Sequence, residues 1–73
     1  MFELKHTGSW TDEHGEILEG FEVKLEGQTF PEYLFSLAKD GRVCRINKNF
    51  DNLMWTAKET AANLIEDAKA LLQ

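Results

Sequence analysis

An apolar stripe near the C-terminus constrains the fold of this chain more than any other feature. Apolar residues recur there at the spacing of one helix face: Ala57, Ala61, Leu64, Ile65, Ala68, Leu71 and Leu72. This spacing predicts an amphipathic helix over about 57–72. "TAKE" at 56–59 has the form of a capping box, which predicts Thr56 as the N-cap and Trp55 as a hydrophobic residue packed on the first turn. A helix with one apolar face needs a second layer to bury that face.

Alternating segments upstream predict that the second layer is a β-sheet. Phe21, Val23 and Leu25 alternate with charged residues in "FEVKLE", as in a half-buried strand. Gly20, just before this segment, indicates a bulge or the close approach of another group. "FELKHT", near the N-terminus, alternates in the same way and predicts a further strand, joined to the first by the polar loop "GSWTDEHGE".

The dipeptide Asp40-Gly41 predicts a β-hairpin with a two-residue type I′ turn. Such a turn sets five cross-strand pairs: Lys39 with Arg42, Ala38 with Val43, Leu37 with Cys44, Ser36 with Arg45, and Phe35 with Ile46. One side of the sheet then collects Phe35, Leu37, Cys44 and Ile46, and the other has Leu34, Ser36, Arg45 and Asn47, which favours the hairpin and places Cys44 in the core. "PEYLFSLAKDG" also fits a short helix over 31–39, and the sequence leaves this alternative open.

Together these segments predict one small globular domain over residues 1–73, of the α+β class. We expect a three- to four-stranded, mainly antiparallel meander sheet, covered on one face by a single C-terminal helix at about 57–72. A chain of 73 residues buries only roughly 60% of its unfolded surface, so each large apolar side chain matters to the core.

The expected location of the chain is the cytoplasm. Cys44 is the only cysteine, and one unpaired thiol is typical of a reducing compartment. The N-terminal "MFELKHTGSW" lacks the basic and apolar regions of a signal peptide. No apolar run reaches the roughly 18 residues that a membrane span requires, so no membrane association is expected.

No combination of residues favours catalysis, a metal or a cofactor. His6 and His14 are the only histidines, and they do not form a tight metal-binding pair such as H-x-x-x-H. The predicted burial of Cys44 disfavours a nucleophilic role. The glycines occur singly and form no phosphate-binding loop. We therefore expect a non-enzymatic protein without a cofactor or a metal.

The charges are unevenly distributed along a chain whose formal net charge is −5. Acidic residues dominate 12–32, whereas the predicted hairpin segment 39–48 is basic. A tryptophan lies in the polar stretch "TGSWTDE", and both tryptophan and arginine are frequent anchors of protein interfaces. The predicted partner-binding residues are Trp10, Arg42, Arg45 and Lys48. This combination favours a small protein-interaction module, of the size of bacterial or phage accessory factors, with a homodimer also compatible.

The alternative function is a nucleic-acid-binding regulator that uses the basic hairpin at 39–48. In element order alone, the predicted sheet and helix resemble the small β-sheet DNA-binding domains of tyrosine recombinases and some plant transcription factors, which place basic strand residues in the major groove. Such domains are basic, whereas this chain is acidic. The predicted register also places Arg45 on the face opposite Arg42 and Lys48. A protein partner is therefore the preferred prediction.

Overall fold

The computed structural model describes all residues 1–73, and it contains four strands followed by two helices. The strands are β1 (Phe2–Thr11), β2 (Ile17–Leu25), β3 (Tyr33–Ala38) and β4 (Val43–Ile46). The helices are α1 (Lys48–Thr56) and α2 (Lys58–Leu71). All neighbouring strands are antiparallel, in the order β1-β2-β3-β4. The α+β class and the antiparallel meander are confirmed.

Two helices follow the sheet, whereas the sequence was predicted to form one. α2 corresponds to the predicted C-terminal helix, and α1 was missed. The N-terminus of α1 has a regular cap, because the Asn47 side chain accepts a hydrogen bond from the Phe50 amide at 2.9 Å. Phe50, Leu53 and Met54 follow at helical spacing. Neither helix is long and apolar enough to cross a membrane.

The junction between the helices differs from the predicted capping box. Ala57 separates α1 from α2 and offers no side-chain cap. The Thr56 hydroxyl belongs to the last turn of α1, where it donates to the Asn52 carbonyl at 2.9 Å. Trp55 also belongs to α1 and is 75% exposed instead of packed on the first turn of α2. Both predictions are wrong because the preceding residues already form a helix.

The core lies between the sheet and the two helices. Its buried members are Phe21, Val23, Phe35, Leu37, Phe50, Ala61, Leu64 and Ala68. The Phe35 ring stacks on Phe21 with a centroid distance of 5.4 Å and on Phe50 at 4.6 Å. The row of rings therefore connects two strands of the sheet to α1, and the small alanines of α2 allow that helix to approach the sheet closely.

The β3–β4 hairpin is confirmed, but its turn is not of type I′. The Gly41 amide donates to the Ala38 carbonyl at 3.0 Å, and the Ala38 amide donates to the Arg42 carbonyl at 2.9 Å. Gly41 has a φ of +93°, and no residue other than glycine has a positive φ. The connection is therefore a three-residue loop that ends in a left-handed glycine. Residues 33–38 form a strand, so the short-helix alternative is wrong.

The longer loop shifts the register beside the turn by one residue, and an irregularity restores the predicted register further along the strands. Two predicted pairs are kept, Phe35 with Ile46 and Ser36 with Arg45. Leu37, however, pairs with Val43 across an irregularity that leaves Cys44 in a bulge. Cys44 is half-buried, and its thiol lies 3.6 Å from the Arg42 carbonyl. The prediction that Cys44 lies in the core is therefore wrong.

Candidate functional site

The sheet has one face packed on the helices and one face without a covering element. Strand alternation places Phe21, Phe35 and Leu37 toward the helices, so their chain neighbours point to the other side. We call that other side the open face. Its central residues are Trp10, Leu18, Gly20, Ser36, Ala38 and Arg45.

A row of three small residues leads across the open face to Arg45. The register aligns one residue from each strand, in the order Gly8, Gly20, Ser36 and Arg45. The indole of Trp10 lies close above this row, since a Cβ on Gly20 would lie 3.9 Å from Trp10 Nε1. The same Cβ would lie 2.6 Å from Thr7 Oγ1, at the bulge in β1. The predicted close approach at Gly20 is confirmed, because a side chain there would collide with the Thr7 hydroxyl.

Trp10 and Arg45 meet across the open face. Arg45 Cζ lies 4.9 Å from the Trp10 ring centroid, which is within the range of a cation–π interaction. The two residues come from β1 and β4, the outer strands of the sheet. Between them lie Gly20 and Ser36, two small residues of β2 and β3. Two of the four predicted partner-binding residues are thus brought together.

Trp10 borders a small buried apolar pair that belongs to the open face. Leu18 and Ala38 are only 1% and 2% exposed, although they lie on the open face. Trp10 pairs with Leu18 across the strands and is itself 39% exposed. Trp10 therefore lies beside buried residues while part of its own surface remains in water.

Arg42 and Lys48, the other two predicted partner-binding cations, have different surroundings from Arg45. Arg42 Nε lies 2.7 Å from Asp40 Oδ2, and Arg42 Nη2 contacts the Glu16 carboxylate. These hydrogen bonds raise the pKa of Arg42, with Asp40 as the largest cause, and the bond from Arg42 lowers the pKa of Asp40. Lys48 is the first residue of α1 and has no ion pair. Arg42 is thus occupied by acidic neighbours, whereas Arg45 forms no ion pair.

The bulge also changes the side of the sheet on which Arg42 lies. Val43 pairs with Leu37 on the helix side, so Arg42, one residue earlier, belongs to the open side with Arg45. The predicted placement of the two arginines on opposite faces is wrong, because it assumed a two-residue turn.

A hydroxyl, an imidazole and a carboxylate meet beside the last turn of α2. The Ser9 hydroxyl donates to Glu19 Oε1, and His6 Nε2 lies 2.8 Å from the same oxygen. The bond from Ser9 is the largest cause of a lowered pKa at Glu19, and the bond from His6 adds to it. A catalytic serine must instead bond to the histidine that takes its proton. This trio therefore joins β1 to β2 and does not have the geometry of a nucleophile with its base.

No group of three or more His, Cys, Asp and Glu side chains is arranged to hold a metal ion. His14 is exposed in the β1–β2 loop, with Nε2 3.7 Å from a carboxylate oxygen of Glu13. Comparisons with protein-family models, with curated proteins and with solved structures find no match to this chain. Function is therefore inferred from the geometry and charge of the open face.

Proposed function

We propose that this chain is a non-enzymatic, cytoplasmic protein-interaction module that binds its partner through Trp10 and Arg45 on the open face. The supporting observation is the set of contacts that the Arg45 guanidinium makes within the chain. It stacks on Trp10 but forms neither a salt bridge nor a side-chain hydrogen bond within the chain. Its N–H donors are therefore available to a partner.

The stacking contact also prepares Arg45 for binding. A free arginine loses rotamer entropy when it is immobilised in an interface, and contact with Trp10 reduces that loss beforehand. The exposed part of the indole adds apolar surface beside the charge. The complementary partner surface carries a carboxylate, which accepts from Arg45, next to an apolar group that packs on Trp10.

Nucleic acid is the alternative partner, and one observation favours it. Arg42 and Arg45 lie on the same side of the sheet, as two phosphate-binding residues would. However, Asp40 and Glu16 already contact the Arg42 guanidinium, and a chain of net charge −5 repels a polyanion. A protein partner is therefore the proposal.

The test is capture followed by reconstitution with purified proteins. The full chain and its Trp10→Ala, Arg45→Ala and Trp55→Ala variants are immobilised, and any protein retained from an extract of the source cells is purified and titrated against each. Trp55 is the matched control, because it is the more exposed tryptophan and lies on α1. We expect Kd to rise by about 30-fold for Trp10→Ala and Arg45→Ala, as for interface hot spots, and to stay unchanged for Trp55→Ala.

A parallel titration with fluorescent duplex and single-stranded DNA separates the two functions. At a salt concentration of about 0.15 M, we expect Kd values of about 10⁻⁴ M or weaker. Sub-micromolar DNA binding that is abolished in Arg42→Ala and Arg45→Ala would replace the proposed function with the alternative. A partner protein that binds the parent and Trp10→Ala equally would contradict the assignment of the open face.

A further inference from the structure

The outer strands β1 and β4 each leave one row of backbone groups without a strand partner. β4 has only four residues and contains the bulge at Cys44, which are common protections of a sheet edge. β1 has ten residues, and its pairing with β2 is regular from Phe2 to His6. A register shift between His6 and Gly8 ends this regular part. We call residues 2–6 the β1 edge.

Two hydrogen bonds show which backbone groups of the β1 edge face away from β2. The Glu26 amide donates to the Met1 carbonyl at 2.9 Å, so the backbone groups of Met1 point toward β2. Val23, the partner of Leu4, accepts from the Glu32 amide on its β3 side at 2.9 Å, so its carbonyl does not bond to Leu4. Backbone groups alternate in direction along a strand. The residues whose backbone N–H and C=O groups point away from β2 are therefore Phe2, Leu4 and His6.

The β1 edge carries one negative and one positive side chain, one on each side of Leu4. Glu3 and Lys5 flank Leu4 and point to the open side, where opposite charges alternate between β1 and β2. Glu3 faces Lys24, with their charged atoms 3.6 Å apart, and Lys5 faces Glu22. A second β1 laid antiparallel with Leu4 opposite Leu4 would place each Glu3 against the Lys5 of the other copy. The alternation of charge then continues across the junction.

We propose that two copies of this chain pair through the β1 edge, with a twofold axis at Leu4, to form one continuous sheet. In this register the outward backbone groups of both copies hydrogen-bond to each other, and both charged pairs are complementary. A twofold axis at Glu3 or at Lys5 would instead place like charges opposite each other. An axis at His6 would run into the irregularity before Gly8.

The same charges explain why the edge would select its own copy. A charged residue on an edge strand opposes pairing with unrelated strands, since a buried or like-charged neighbour is unfavourable. Glu3 and Lys5 pair favourably only with a strand that places a positive charge opposite Glu3 and a negative charge opposite Lys5. A second, antiparallel β1 does so. The contact is isologous, and the twofold axis leaves both open faces on the same side of the joined sheet.

Sedimentation velocity over a concentration series up to about 1 mM tests the proposal, since an edge contact falls below the roughly 1,200 Å² of standard interfaces. We expect the parent chain to dimerise. Glu3→Lys and Lys5→Glu each place like charges in both symmetric pairs, and we expect each to weaken the dimer by about tenfold or more. Mixing the two variants should restore a dimer, because each chain then supplies the charge that the other lacks.

Leu4→Pro tests the backbone part of the contact. The Leu4 amide points away from β2, so proline leaves the β1–β2 ladder intact but removes a donor from the junction. We expect loss of the dimer with an unchanged circular dichroism spectrum. Leu4→Ala is the matched control, because it shortens the side chain, keeps the amide and should keep a measurable dimer.

Two results would overturn the proposal. One is a parent chain that remains monomeric through the whole concentration series. The other is a dimer that persists in Glu3→Lys and Lys5→Glu, with no gain on mixing them. The mixing experiment decides the matter even if Leu4→Pro fails to fold, because it requires only that both charge variants have the parent's circular dichroism spectrum.

Discussion

The two faces of the sheet bury apolar side chains by different means. On the helix side, Val23 and Leu37 are 0% exposed beneath Phe50, Leu64 and the alanines of α2. On the open face, Leu18 is buried to nearly the same extent, although no helix lies above it. We infer that Trp10, its cross-strand neighbour in β1, provides the cover.

This difference explains why the open face is the better candidate for binding. A helix layer removes water from a whole face and presents a new, mostly polar surface to solvent. A single indole removes water only from the residues directly beneath it, and Trp10 itself remains 39% exposed. The open face therefore combines a well-packed base with an apolar and cationic surface that a partner can cover.

The largest expected effect is on the helix side, at Phe50. This side chain is 0% exposed and stacks on Phe35 at 4.6 Å, so Phe50→Ala leaves a cavity in the main core. We expect the free energy of unfolding, measured by urea denaturation, to fall by about 3–5 kcal/mol. Trp55→Ala on the same helix is the control and should change it by less than about 0.5 kcal/mol. Equal losses of unfolding free energy in Phe50→Ala and Trp55→Ala would mean that α1 does not cover the core.

A smaller effect is expected at Leu18 on the open face. Leu18→Ala should lower the free energy of unfolding by about 2 kcal/mol, the low end for a buried leucine, because the partly exposed Trp10 can move into the space. The double variant with Trp10→Ala sharpens the comparison. If Trp10 shields Leu18, the two losses should be non-additive by about 0.5 kcal/mol or more, whereas simple additivity would show that the indole does not cover Leu18.

The smallest expected effect depends on pH and concerns Glu19. Hydrogen bonds from Ser9 and His6 hold the pKa of Glu19 below its ordinary value in the folded chain. A carboxyl of this kind stabilises the fold above its unfolded pKa of about 4.3, and the contribution is lost as pH falls through the folded pKa. Glu19→Gln should therefore be less stable than the parent at neutral pH, by at most about 1 kcal/mol.

The measurement is urea denaturation of parent and Glu19→Gln at neutral pH and at about pH 3, below the ordinary carboxyl pKa. The difference between them should shrink at acid pH. Glu26→Gln is the control, since Glu26 is exposed and forms no side-chain hydrogen bond, and it should match the parent at both pH values. A Glu19→Gln deficit that is the same at both pH values would contradict this role of the carboxylate.

Local patterns in the sequence determined most of the secondary structure. The stripe at 57–72 predicted α2, the alternation in "FEVKLE" predicted β2, and Asp40-Gly41 predicted a hairpin. Each depends on residues a few positions apart, where periodicity and turn propensity act directly. The signal for α1 was equally local, namely an N-cap asparagine followed by apolar residues at helical spacing. It was sufficient to predict this helix from the sequence.

Only the tertiary structure decided the turn length, the bulge and the composition of the open face. A glycine at positive φ fits both a two-residue and a three-residue loop, so the dipeptide does not distinguish them. One extra residue there moved Cys44 out of the core and Arg42 to the side of Arg45, because a single-residue shift inverts the faces of a strand. The contact between Trp10 and Arg45 depends on the registers of all three strand pairs at once, and no short stretch of sequence contains that information.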